Sequence, residues 1–171
     1  MRARCAKCGQ EHDVQAIEPS FRRPDAFFDV PAADRERRIT QSDDACLIVS
    51  PDGRELRCFA RTILYVPIHG EDKPIGWGLW VEIEPAAYHR IGELWDDPDQ
   101  GAEPPMACTL ANVVPDYPST LGLPGALQLR SPTLRPSLRL SPDSRHPFAV
   151  DANAGVPFER ALEWRSWFAH P

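Results

Sequence analysis

No stretch of the 171-residue chain approaches the roughly 18 consecutive apolar residues that a membrane span needs. The first residues, Met1-Arg2-Ala3-Arg4-Cys5, also lack the apolar core of a signal peptide. A cytoplasmic protein without membrane association is expected. Positive charge is scarce as well: 19 Lys and Arg against 25 Asp and Glu leave a net charge of −6, too acidic to neutralise a phosphate backbone. Nucleic acid is thereby excluded as a partner. There is no G-x-S-x-G elbow, Walker loop, H-E-x-x-H pair or dinucleotide fingerprint, so the mechanisms those motifs carry lose their main support. Proline and glycine are plentiful at 19 and 10, yet they stay below the roughly one-quarter share that marks low-complexity disorder. With 42% apolar residues, the composition predicts one folded, loop-rich domain over residues 1–171.

The five cysteines, Cys5, Cys8, Cys46, Cys58 and Cys108, are an odd number in a chain expected to stay reduced, which argues against a disulfide scaffold. Cys5-Ala6-Lys7-Cys8-Gly9 has the two-residue spacing that brings two thiolates to one Zn²⁺ at about 2.3 Å, with a glycine beside the second ligand. A thioredoxin-like pair would need a strand before the motif, and only four residues precede Cys5. His12, four residues further on, and Cys46, which opens a short apolar run, are the preferred completing ligands. Cys58 is the alternative fourth ligand, with Cys108 and His69 also open. Four protein ligands would make the ion structural. Residues 1–30 are thus expected to form a knuckle-like arm packed on a body of residues 31–171. Free cysteines are otherwise ordinary small buried hydrophobes, the competing explanation for Cys46, Cys58 and Cys108.

Pro31 suits a first helical turn, and the run from Ala32 to Ile39 sets acids ahead of bases, predicting a short solvated helix. From Leu56 to Ile68, and again from Ile75 to Ile83, apolar and polar residues alternate, predicting a long hairpin. Ile75, Trp77, Leu79, Val81 and Ile83 form its core face. A register with Leu64 opposite Leu79 would set Arg61 by Glu82, Ile63 by Trp80 and Tyr65 over Gly78. Tyr88, Ile91, Leu94 and Trp95 share a stripe on a helix starting at Pro85. Proline-punctuated strands are expected around 107–114, 126–130 and 137–140, then a closing aromatic helix from Pro157 to Phe168. The predicted class is α+β: a mainly antiparallel sheet with a long central hairpin, flanking helices and a zinc-knuckle-like N-terminal arm.

Arg57, Phe59, Arg61, Tyr65 and Trp80 fall on the hairpin's glycine-floored face. They define either a cationic, aromatic groove for a peptide or small anion, or a second core covered by the closing helix. Asp43, Asp44 and His146 are the candidates for hydrolase or transferase chemistry, although short Asp and Ser side chains before a strand more commonly form a turn. Asp96, Asp97, Asp99 and Glu103 form an acidic loop that would suit an immunity-like protein neutralising a basic partner.

Cys5-x-x-Cys8-Gly9-x-x-His12, Asp44-x-Cys46, Pro67-Ile68, Trp77-Gly78-Leu79-Trp80-Val81, Asn112-x-x-Pro115-x-Tyr117-Pro118-x-Thr120-Leu121, Arg135-Pro136 and His146-Pro147 occur in this order. Together they resemble the bacterial family called domain of unknown function 2199. The resemblance implies a small bacterial protein and supplies no reaction. It also implies the ligand set Cys5, Cys8, His12 and Cys46, since Cys58 and Cys108 lie outside the family pattern. The expected function is a non-enzymatic binding or interaction module with a structural zinc site and an unknown protein or peptide partner.

Overall fold

The structure, a computed structural model, describes residues 18–168 in full and the backbone of two short strands before them. Those strands, β1 (Arg2–Arg4) and β2 (Glu11–Asp13), form an antiparallel hairpin with Ala3 opposite His12 and Arg4 opposite Glu11. An irregular strap over 18–25 leads into α1 (Ala26–Asp29), a 3₁₀ turn (Ala32–Asp34) and α2 (Arg35–Arg38). The predicted helix over 32–39 is therefore split. Its last residue, the β-branched Ile39, instead starts β3 (Ile39–Gln41), which pairs with β4 (Ala45–Val49).

The hairpin consists of β5 (Leu56–Val66) and β6 (Ile75–Ile83). After it come α3 (Pro85–Glu93), β7 (Met106–Leu110), β8 (Pro124–Gln128), β9 (Ser137–Leu140), α4 (Pro147–Ala154) and α5 (Phe158–Trp167). Helix α3 stops short of the expected Trp95. Strands β3 to β9 form one sheet in chain order, each antiparallel to its neighbour, and β9 then returns parallel to β5, with Ile63 opposite Ser137. Five meandering strands place the last alongside the first in the same direction, so β5 to β9 close into a barrel. The α+β class holds, but the sheet is mixed because of that closure.

Period-two alternation sets the barrel interior. Ile75, Trp77, Leu79, Val81 and Ile83 of β6 are all buried, as are Cys58, Ala60, Leu64 and Val66 of β5. Helices α4 and α5 add aromatic rings to this core: Trp164 lies 5.2 Å and Phe148 5.9 Å from Trp77, both edge to face. Such pairs contribute about 0.5–1.5 kcal/mol each beyond the area they bury.

The register differs from the predicted one by two residues, which preserves each face but changes every partner. Leu64 lies opposite Trp77, Ile63 opposite Gly78, Tyr65 opposite Gly76, and Arg61 opposite Trp80. Pro67 has no N–H to continue the ladder, and Ile68 beyond it bridges Val156 rather than extending the hairpin. Glu82 is engaged by Arg57, not Arg61, through two 2.7 Å hydrogen bonds.

The expected groove on the outer face is covered over Phe59 and Trp80, though not by the closing helix, and stays open only towards Arg61 and Tyr65. The strap runs beside β6 instead: Gly78 N donates to Pro19 O at 2.8 Å, and Phe21 N donates to Gly78 O at 2.9 Å. Trp80 Nε1 donates to Phe21 O. Trp80, Phe59, Cys46 and Ile48 then pack with Ala26, Val30 and Ala111 as a second core. Glycine is required at position 78 because a Cβ there would lie 2.5 Å from Ser20 Oγ.

Candidate functional site

Strand β5 changes partner along one edge. Its residues 56–60 pair with β4, whereas Ile63 pairs with Ser137 of β9. Arg61 N donates to Asp44 O and Ile63 N to Pro136 O, both at 2.9 Å, so the two prongs leave β5 only two residues apart. A cleft opens in this fork. It has two cavities, of about 410 and 600 Å³, both bordered by Asp44, Trp95 and Pro136. Each is of a size that takes small ligands.

The cleft is cationic and aromatic. Arg61 Nη2 donates to Ser20 Oγ at 2.7 Å, and burial together with the nearby Arg135 lowers the Arg61 pKa. The Arg130 guanidinium lies 5.7 Å from the Tyr65 ring centroid, with Nη1 3.4 Å from Tyr65 Oη. Among the described residues neither arginine forms an ion pair, while Arg135 Nε donates to Asp44 Oδ1 at 2.7 Å. Three large apolar or aromatic side chains stand open on the walls: Trp95 is 44%, Tyr65 43% and Leu134 48% exposed.

The loop carrying Trp95 is held from behind. Arg90 grips both Glu103 oxygens at 2.9 and 2.8 Å, and Gln128 Nε2 donates to Glu103 O at 2.8 Å. Glu103, expected as part of an acidic docking surface, is thus spent inside the fold, and Asp97 Oδ1 accepts from Asp99 N.

The residues singled out from sequence are dispersed. Cys5 and Cys8 lie outside the described residues, and for His12 only the backbone, in β2, is described. Cys46 is fully buried in the second core opposite Phe59, and burial pushes its thiol up to about 11. Cys58 and Cys108 are buried in the barrel core, with Cys108 pushed up to about 12 by burial. Among the described residues no three His, Cys, Asp or Glu side chains gather where they would hold a metal.

Asp43 is exposed and Asp44 is held by Arg135. His146 caps α4: its Nδ1 accepts from Phe148 N, and Nε2 lies 3.2 Å from Pro118 O. It serves the helix rather than a shared site with Asp43 and Asp44. His69 Nε2 lies 3.2 Å from Ala154 O, and His89 borders the second cavity from α3. The cleft residues Arg130 and Leu134 carried no sequence signal; Trp95, expected on the packed stripe of α3, stands open instead, Arg61 and Tyr65 belong to the expected groove face, and Arg135 stood out only as part of the family pattern.

The most specific motif segments perform structural work. Asn112 is fully buried: its Oδ1 accepts from Trp80 N, and its Nδ2 donates to Arg23 O and Asp25 Oδ1. Asp25 Oδ2 takes Val113 N, and Thr120 Oγ1 donates to Asn112 O while accepting from Val114 N. This network ties the strap to the end of β7, and breaking it would strand buried polar groups at about 1–3 kcal/mol each. Tyr117 Oη donates to Asp151 Oδ2 of α4, under the Arg160 guanidinium. No curated protein and no solved structure matches the chain. The model of a family described as "Uncharacterized protein conserved in bacteria" matches residues 4–156, which span the barrel, the fork and the Asn112 network. The chain belongs to this family, the domain of unknown function 2199 family.

Proposed function

We propose that this protein is a binding module that holds an anionic ligand, small molecule or peptide, in the fork between β4 and β9. The supporting observation is that Arg130 and Arg61, neither in an ion pair among the described residues, border two cavities that share Asp44, Trp95 and Pro136, in a chain of net charge −6. Cations left unpaired in an otherwise acidic molecule draw an anion by steering, and a guanidinium offers it paired donors. The test is calorimetric titration with inorganic phosphate, benzoate, phenyl phosphate and an acetylated Asp-rich tripeptide. At least one should bind saturably in the range of about 1 mM or tighter, and Arg130→Gln should weaken it about tenfold. Absence of saturable binding by all four, and by 4-aminobenzoate and adenosine monophosphate, ends the proposal.

A structural Zn²⁺ in the N-terminal arm is an independent part of this reading. Arg4 pairs with Glu11, and in sequence Cys5 and Cys8 fall between these two positions. Two thiolates at such spacing supply half of a tetrahedral set, His12 of β2 offers a third ligand, and the fourth is Cys46 or a group outside the described residues.

A further inference from the structure

Resting on the anion-cleft reading, we infer that the ligand is a planar aromatic oxyanion bearing an N–H or O–H donor, its ring on the Trp95 indole and its oxygens on Arg130. Three observations carry this. First, among the described residues the Trp95 ring has no ring, cation or hydrogen-bond partner, although it borders both cavities and is half open to solvent. An unstacked indole at the junction of two cavities is a platform for a flat ring. The Tyr65 face, by contrast, is already taken by Arg130, which fixes that guanidinium and leaves its free N–H groups for an oxyanion.

Second, Gln100 borders the first cavity and is only 6% exposed, yet its carboxamide oxygen has no partner among the described residues. Its nitrogen faces Trp95 O at 3.4 Å, which orients the oxygen as the acceptor. An acceptor of a cavity-lining side chain that has no partner among the described residues and reaches solvent is open to a ligand donor, hence the N–H or O–H on the ring.

Third, the fork has no ladder to offer an extended peptide. Arg61 N and Ile63 N are spent on Asp44 O and Pro136 O, Ala45 N donates to Ser42 Oγ at 3.0 Å, and Pro136 has no N–H. Recognition by strand addition needs free main-chain groups, so a compact molecule fits where a strand does not.

The experiment uses the full-length protein with 4-aminobenzoate and adenosine monophosphate as carboxylate and phosphate arms. Benzoate lacks the donor, 4-aminobenzamide and adenosine lack the charge, and inorganic phosphate and the acetylated Asp-rich tripeptide lack the ring. Calorimetry gives affinity. Acrylamide quenching of tryptophan fluorescence reports on Trp95 and the half-buried Trp167, since Trp77, Trp80 and Trp164 are fully buried, and the part absent from Trp95→Ala is the Trp95 signal. At least one of the two arms should bind and shield tryptophan from quencher, and the tighter arm identifies the oxyanion. Its neutral analogue should bind about tenfold more weakly or worse, as should the ligand to Arg130→Gln and to Trp95→Ala; the exposed Arg54→Gln, in the β4–β5 turn, should behave as the unaltered protein. Equal affinity for the neutral analogue, or unchanged affinity in Trp95→Ala, overturns the inference. Binding of phosphate or the tripeptide without either aromatic arm overturns it while leaving the anion cleft standing. Binding of no anion removes both.

Discussion

The Arg135 guanidinium donates to the Asp44 carboxylate at 2.7 Å across the mouth of the fork, joining the turn before β4 to the turn before β9 over 91 residues of sequence. Both side chains are partly exposed, so the pair adds at most about 1 kcal/mol to stability. Its larger effect is on the cleft, because among the described residues Asp44 is the one carboxylate that borders both cavities and it neutralises Arg135. Asp44→Asn should leave the urea midpoint nearly unchanged while tightening an anionic probe about threefold or more, since a third guanidinium is freed. Parallel urea and phosphate or 4-aminobenzoate titrations check this; a weaker anion affinity would show that Asp44 contacts the ligand favourably.

The strap and β6 fit by mutual absence of side chain. A Cβ on Gly78 would meet Ser20 Oγ at 2.5 Å and Ser20 Cβ at 3.1 Å. Gly78→Ala should therefore destabilise the fold by about 1–3 kcal/mol, the usual cost of overpacking. Ser20→Gly alone forfeits the Arg61 bond. Combined with Gly78→Ala it should recover part of the loss, giving a positive coupling in a double-mutant cycle followed by urea unfolding. Strict additivity would mean that the strap does not bear on Gly78.

The core face of β6 was legible because Ile75, Trp77, Leu79, Val81 and Ile83 recur at period two, alternating with Gly76, Gly78, Trp80 and Glu82. The register was not, since a shift of two residues keeps every face and only the end of β5 at Pro67 distinguishes the alternatives. The strap escaped notice for a different reason: Pro19, Ser20 and Phe21 have no periodicity of their own and are held by backbone bonds to Gly78, far along the chain. The fork cleft depends on where two distant segments leave β5, and no local pattern around Trp95, Arg130 or Asp44 encodes that meeting. Asn112, Tyr117 and Thr120 were visible as a motif, but only coordinates show that they tether the strap and α4.

Four groups in the two cores, Cys46, Cys58, Cys108 and Tyr117, are shifted in the same direction by burial. Burial pushes the Cys46 thiol up to about 11 and Cys108 to about 12, against an ordinary value of 9.0, and burial followed by the bond to Asp151 pushes Tyr117 to about 12. The folded chain thus holds these protons more tightly than the unfolded one. Their contribution to stability is fully present below pH 9 and is lost as pH rises through 11 to 12. Urea midpoints should fall across that window. Cys46→Ala should flatten the fall by the share of one proton, although it also costs packing at neutral pH. A midpoint independent of pH across the window would show that neither thiol is held neutral.

Cys46 also separates the two accounts of the N-terminal arm. If it is a packing residue opposite Phe59, then Cys46→Ala should lower stability yet leave bound zinc, read by native mass spectrometry of freshly purified protein, unchanged. Cys5→Ser and Cys8→Ser should each release the ion, because loss of one thiolate opens a tetrahedral site to water and weakens it steeply. Chelation of the unaltered protein should then lower the thermal midpoint by removing the constraint on the β1–β2 hairpin. Loss of zinc in Cys46→Ala as well would make that thiolate the fourth ligand and bring the arm onto the second core. An ion-free protein with an unchanged melting curve after chelation would remove the metal altogether and leave the arm to hold itself by backbone pairing alone.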